Sequence, residues 1–134
     1  MLVDATWGQI TPIELAPGVR TVGELELIAH FEAGRPLVDS RPQHAYLEQT
    51  IPGAINLPHG EIESRLDQLD PEVQTIFFCN GPQCGASPEA IRSLLDRSYP
   101  AQSILYYRGG LHDWLTLGLP TVPPAWERQE VLTS

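Results

Sequence analysis

Hydrophobic positions along this chain form short continuous runs, separated by stretches in which they recur at helical spacing. Leu37-Val38-Asp39, Ile55-Asn56-Leu57, Ile76-Phe77-Phe78-Cys79 and Ile104-Leu105-Tyr106-Tyr107 are brief and rich in β-formers, which predicts buried strands. Ile10–Leu15 reads as a further edge strand, since Pro12 fits an edge better than a centre. Thr21 and Glu24 form a capping box ahead of a helical face of Leu25, Ile28 and Ala29, and Gly34 supplies its stop. His44–Leu47 predicts one helical turn, and Ile62, Leu66 and Leu69 give Glu61–Leu69 a helical period. Ser87 is a natural N-cap with Pro88 at the first helical position, followed by a stripe of Ala90, Ile91, Leu94 and Leu95. Leu111–Leu117 is the last helix, with Trp114 as a core anchor and Gly118 and Pro120 at its end. Unalternating strands that take turns with helices predict an α/β fold, a parallel sheet covered on both faces.

In such sheets, sites lie beyond the carboxyl ends of strands, and Cys79 stands at one. The loop after it, Asn80-Gly81-Pro82-Gln83-Cys84-Gly85, is small and polar and feeds a helix start. A strand-loop-helix unit aims backbone N–H groups and a positive helix end at one small volume. The amides of Asn80, Gly81, Gln83, Cys84 and Gly85 are the expected anion cradle; Pro82 has no N–H to give. That geometry is expected to lower the Cys79 pKa from a free value of about 8.5, each unit being worth about 1.4 kcal/mol. Against this stands the plain reading of Cys79 as a buried strand-end residue. Asp39 and Arg41 also sit where a strand meets its loop, and are read as an ion pair or loop clamp.

With 134 residues, the chain is long enough for one domain with a proper core. Its 17 acidic residues against 8 basic ones leave a formal charge of −9, which argues against nucleic acid and acidic membrane surfaces as partners. A small anion held by local backbone amides is not excluded by that charge. No apolar run is long enough to span a bilayer, and residues 1–7 lack the features of a signal peptide. Two cysteines are too few for a disulfide scaffold, so a reduced, cytoplasmic setting is expected.

Several motifs recur here in a familiar order: Leu37-Val38-Asp39-Ser40-Arg41, Tyr46, Ile51-Pro52-Gly53-Ala54-Ile55-Asn56-Leu57-Pro58, Cys79 with its loop, Gly109-Gly110, Trp114 and Gly118-Leu119-Pro120. Over about residues 21–122 the chain resembles a single rhodanese-like (sulfurtransferase) domain. The resemblance implies a central parallel sheet of about five strands with helices on both faces. Domain limits are drawn at 19–122, with residues 1–18 as an extension packed on the domain and 123–134 as a surface tail in which Trp126 is a docking candidate. It further implies that Cys79 attacks a sulfane donor such as thiosulfate, carries the sulfur as a persulfide, and passes it to a thiol or cyanide. The implied partners are a small anionic donor and a thiol acceptor, with a homodimer or a protein-borne acceptor as further expectations, and no metal or organic cofactor is implied.

Departures from the family pattern shape the remaining expectations. The loop from Asn80 to Ser87 lacks the usual arginine and reads about two residues long if Ser87 caps the helix, so thiosulfate turnover is expected to be weak. Phosphatase and arsenate-reductase chemistry needs an arginine six positions after the cysteine, where Gly85 stands. Arg108 and His59, each at a strand end, are the accessory candidates for the missing charge and for a proton, with a solvated loop histidine the plainer reading of His59. His30 and His44 read as surface residues. Cys84 is either a resolving thiol for Cys79 or, the preferred reading, a loop residue with its side chain turned outward. The alternatives to a sulfur carrier are a Cys79/Cys84 thiol–disulfide switch and an inactive rhodanese-like binding module.

Overall fold

The structure, a computed structural model, describes residues 15–122. The strand expected over Ile10–Leu15, Leu15 apart, and the tail with Trp126 lie outside the described residues. Five strands, β1 (Arg20–Val22), β2 (Leu37–Asp39), β3 (Ile55–Asn56), β4 (Thr75–Phe78) and β5 (Ile104–Tyr107), form one parallel sheet in the order β1-β5-β4-β2-β3. The helices are α1 (Glu24–Glu32), α2 (Gln43–Glu48), α3 (Ala86–Asp96) and α4 (Gly110–Thr116), with a 3₁₀ segment at His59–Gln68. This is the expected α/β architecture, with both faces covered.

The central strands are fully buried and mainly apolar because each face of the sheet carries its own core. Ile76 and Phe78 point to one side, with Leu37, Leu105, Tyr107, Leu27 of α1 and Trp114 of α4. Phe77 points to the other, with Val38, Ile104, Tyr106 and the α3 residues Ile91 and Leu94. Trp114 anchors α4: its ring meets Tyr107 edge-on at 6.4 Å, and its Nε1–H donates to the Pro120 carbonyl at 2.7 Å.

Several local expectations are corrected. Thr21 lies in β1 rather than capping a helix, and the N-cap of α1 is Gly23. The buried stripe of α1 is Glu24, Leu27 and His30, while Leu25 is 62% exposed. Two buried polar residues disguised that stripe. Glu24 accepts from the Tyr107 hydroxyl at 2.8 Å, and His30, expected at the surface, sits 2.6 Å from the Pro36 carbonyl. Burial lowers the His30 pKa against the pull of that carbonyl bond. The helix expected over Glu61–Leu69 is a 3₁₀ segment broken at Arg65. Helix α3 starts at Ala86 behind an N-cap at Gly85, so Ser87 lies inside the first turn and the cysteine loop is shorter than expected. Pro88 is tolerated there because first-turn amides have no intrahelical acceptor.

Chain order departs in opposite directions from β2 and β4. Chain from β2 runs outward to β3, and chain from β4 runs outward to β5, on the other side. The crevice beyond these two carboxyl ends is the topological switch point, where α/β sheets bind ligands. Asp39 pairs with Phe78 across it, so Cys79 and the residues after Asp39 are neighbours. Helix α4 fixes the loop from the other side: the Leu111 N–H donates to the Cys79 carbonyl at 2.9 Å, and the His112 N–H to the Asn80 carbonyl at 2.7 Å.

That approach needs a glycine at 110. Its φ is +62°, and a Cβ there would stand 2.4 Å from the Cys79 carbonyl oxygen. Gly110→Ala is expected to lose about 2–5 kcal/mol, the sum of a left-handed penalty of about 1–2 and overpacking of about 1–3. Gly34→Ala, at φ +74° with open space around it, should lose only the first part. Urea unfolding of both variants checks this, and equal losses would remove the steric argument.

Candidate active site

Cys79 is the first residue past β4 and is 1% exposed. Both the N–H and the hydroxyl of Ser87, in the first turn of α3, face its sulfur. The Ser87 hydroxyl also lies 3.1 Å from that of Ser40, and both serines are fully buried. The Cys79 thiol donates to the Cys84 carbonyl oxygen at 3.5 Å, and each cysteine shifts the ionisation of the other. Both cysteines are free.

The electrostatics of the pair differ from the expectation for Cys79. Burial pushes its thiol up to about 11, the neighbouring Cys84 adds to the rise, and the Ser87 donors only partly offset it. Cys84, partly exposed, shifts down instead. Burial opposes that shift, but the Ala86 N–H, the Cys79 thiol, the Asn80 N–H and the Arg41 guanidinium outweigh it. Of the two, Cys84 is therefore the one that ionises first. A wholly buried sulfur loses more by ionising than one that meets water and two amides.

The predicted cradle is placed as follows. The Asn80 N–H faces the Cys84 sulfur, whereas the Cys84 N–H closes a turn onto the Gly81 carbonyl at 3.1 Å. Gly81 is buried against His112, with 3.2 Å left for a Cβ, while Gln83 and Gly85 are exposed. Two amides that face the sulfurs, those of Ala86 and Ser87, were missed because the helix was expected to begin at Ser87. His59 lies at the start of the 3₁₀ segment, 3.2 Å from Glu89 of α3, and its Nδ1 is buried with no hydrogen-bond partner among the described residues. Arg108 is exposed after β5, and its charge acts on Tyr106.

The countercharge comes from Arg41, which the sequence showed only as a clamp. The clamp is real: Arg41 grips Asp39 through Nε at 3.0 Å and Nη2 at 2.8 Å, and both side chains are buried. The Asp39 carboxylate also accepts from the Arg41 N–H at 2.9 Å and the Thr50 hydroxyl at 2.8 Å. One guanidinium nitrogen remains, and it reaches Asn80 Oδ1 at 3.2 Å inside the cysteine loop. Arg41 also donates to the Gln49 carbonyl.

The site is thus a switch-point cysteine placed between a helix N-terminus and a buried arginine. The rhodanese-like domain model matches residues 24–117, and the chain belongs to that family. An HTH-type transcriptional regulator of Mycobacterium tuberculosis, Rv0324, is 35% identical over 96 residues, which cover 71% of this chain and 41% of that protein. The chain thus spans less than half the length of this relative. Among solved structures, BH2092 from Bacillus halodurans superposes with a TM-score of 0.69 at 24% identity, covering 77% of this chain and 76% of that one. Human single-domain sulfurtransferase TSTD1 does so at 0.60 and 29% identity, covering 74% and 97%. Among the described residues no helix is long and apolar enough to cross a membrane, and no group of side chains is arranged to hold a metal ion.

In the reduced protein, iodoacetamide is expected to label Cys84 with a midpoint below that of an ordinary free thiol. Cys79 should label only as pH approaches about 11, because only the thiolate reacts and its fraction grows with pH. Fragment mass spectrometry of the 79–84 peptide separates the two, and matching profiles would contradict the assignment of charge. Arg41→Met leaves the Asp39 carboxylate buried without its cation, so denaturant unfolding should show a loss of about 3–5 kcal/mol.

Proposed function

We propose that this chain is a sulfurtransferase that moves sulfane sulfur from thiosulfate or a persulfide donor to a thiol or cyanide acceptor through a persulfide on Cys79. The observation that carries this reading is the pair of Ser87 donors, N–H and hydroxyl, facing the Cys79 sulfur at the N-terminus of α3. The membership of the family and the likeness to a single-domain sulfurtransferase support it.

A buried thiol with a raised pKa needs a base, and Cys84, whose carbonyl meets the Cys79 sulfur, is the neighbouring group that ionises more readily. The Cys79 proton passes to the Cys84 thiolate. Each unit of pKa difference adds about 1.4 kcal/mol to that step. The Cys79 thiolate, held by the Ser87 donors, then attacks the outer sulfur of the donor. The sulfur–sulfur bond of thiosulfate breaks, its electron pair leaves with sulfite, and Cys79 keeps the outer sulfur. Arg41 supplies positive charge at the loop without a basic residue in the loop itself.

Thiocyanate formation from thiosulfate and cyanide tests the reading. Cys79→Ser should reduce it to background, and retained activity would overturn the assignment. Ser87→Ala keeps the N–H and loses the hydroxyl. It is expected to lower kcat/KM by about 10–100-fold, since a hydrogen bond to a charged group is worth about 1.5–3 kcal/mol.

A further inference from the structure

We propose that Cys84 resolves the sulfur carried by Cys79: it attacks the Cys79 sulfur, expels the terminal sulfur as hydrosulfide, and leaves a Cys79–Cys84 disulfide. This rests on the persulfide reading above and assigns the same site a second product. The chain would then reduce sulfane sulfur to sulfide by itself, before any external acceptor arrives.

The geometry supports the step from three directions. The turn closed by the Cys84 N–H on the Gly81 carbonyl brings residue 84 back over the strand end, where its carbonyl is 3.5 Å from Cys79 Sγ and each thiol perturbs the other. Cys84 meets solvent while Cys79 does not, so an acceptor entering from solvent meets Cys84 before the carrier. Finally, the Cys84 sulfur is itself an anion site, faced by the Ala86 and Asn80 amides and by the charge of Arg41. A sulfur that was merely turned away from the chemistry would have no need of those donors.

Atoms and electrons balance without an external oxidant. After donor attack Cys79 carries S–S⁻ and Cys84 holds the proton it received. Cys84 returns that proton to the terminal sulfur and becomes the thiolate. It bonds to Cys79 Sγ, the bond from Sγ to the terminal sulfur breaks, and the electron pair leaves as HS⁻. The two cysteines are oxidised together and the sulfane sulfur is reduced. A low-molecular-weight thiol then reopens the disulfide by exchange.

The test is a single turnover of fully reduced protein with thiosulfate, without cyanide or added thiol. Sulfite and sulfide are measured together with the intact mass. The expected result for the unaltered protein is one sulfite and one sulfide per chain, with a mass lower by two hydrogens and a cross-link inside the 79–84 peptide. Cys84→Ser and Cys84→Ala form the persulfide more slowly, because the base is gone, so their readout is the endpoint. Both should hold one added sulfur and release no sulfide. An unaltered protein that keeps the added sulfur and releases no sulfide overturns resolution while leaving the carrier intact. Sulfide release by the Cys84 variants equal to that of the unaltered protein also overturns it. Absence of both sulfite and adduct in all three proteins overturns the carrier reading itself, and resolution with it.

Discussion

The buried Asp39–Arg41 pair is the interaction on which the site depends. Asp39 ends β2 at the switch point and has no access to water, so its charge must be met by protein. Two guanidinium nitrogens, one backbone amide and one hydroxyl meet it. Such a pair adds little net stability over apolar residues of the same size, yet breaking it is costly. Its value here is positional. The Thr50 hydroxyl ties the carboxylate to a residue that bridges Val122, and Gln49 donates to the Thr121 hydroxyl. The carboxyl end of β2, the chain after α2 and the last described residues are thereby fastened to one carboxylate. The arginine is left with one edge to spend on the cysteine loop.

The loop is held by its carbonyls as much as by its amides. The carbonyls of Cys79 and Asn80 accept from the first turn of α4, and the close approach needs Gly110 to have no side chain. With those acceptors fixed, the Asn80 amide and the first-turn amides of α3 are the donors that face sulfur. Two helix starts thus donate N–H groups to one loop, and only the acceptors differ. One holds its carbonyl oxygens and the other faces its sulfurs. On the proposed reading, this is how a chain of net charge −9 would hold an anion. The whole molecule is acidic, but the groups around the two sulfurs are local dipoles and one buried cation.

Much of the fold was legible because parallel strands buried on both faces leave continuous apolar runs, and β2, β4 and β5 are such runs. β1 was not legible: Arg20-Thr21-Val22 is a three-residue edge strand whose threonine, with Glu24, mimics a capping box. The phase of α1 was hidden because Glu24 and His30 are buried through tertiary hydrogen bonds that no local pattern records. The strand-end cysteine and the helix after it were readable from spacing. The start of that helix was misplaced because Ser87, which looks like a cap, spends its hydroxyl on Ser40 and Cys79. Arg41 could be read as a clamp for Asp39. Its reach to a loop 39 positions away depends on the pairing of β2 with β4, which is a property of topology.

The same topology decides which cysteine bears charge. A helix N-terminus lowers a thiol pKa only to the extent that its amides outweigh desolvation. At Cys79 the sulfur is sealed under the sheet edge, and two donors from one serine do not compensate. At Cys84 partial exposure reduces that penalty, and two amides with a buried arginine reverse the sign. The family feature missing from the loop, a basic side chain, is thus replaced by a second sulfur at the mouth and a cation behind it. In the proposed sulfur transfer, a thiolate in that position would repel an incoming dianion until it took up the Cys79 proton. Donor binding and proton transfer would then be coupled, with negative charge moving from the outer sulfur to the inner one as the donor is admitted.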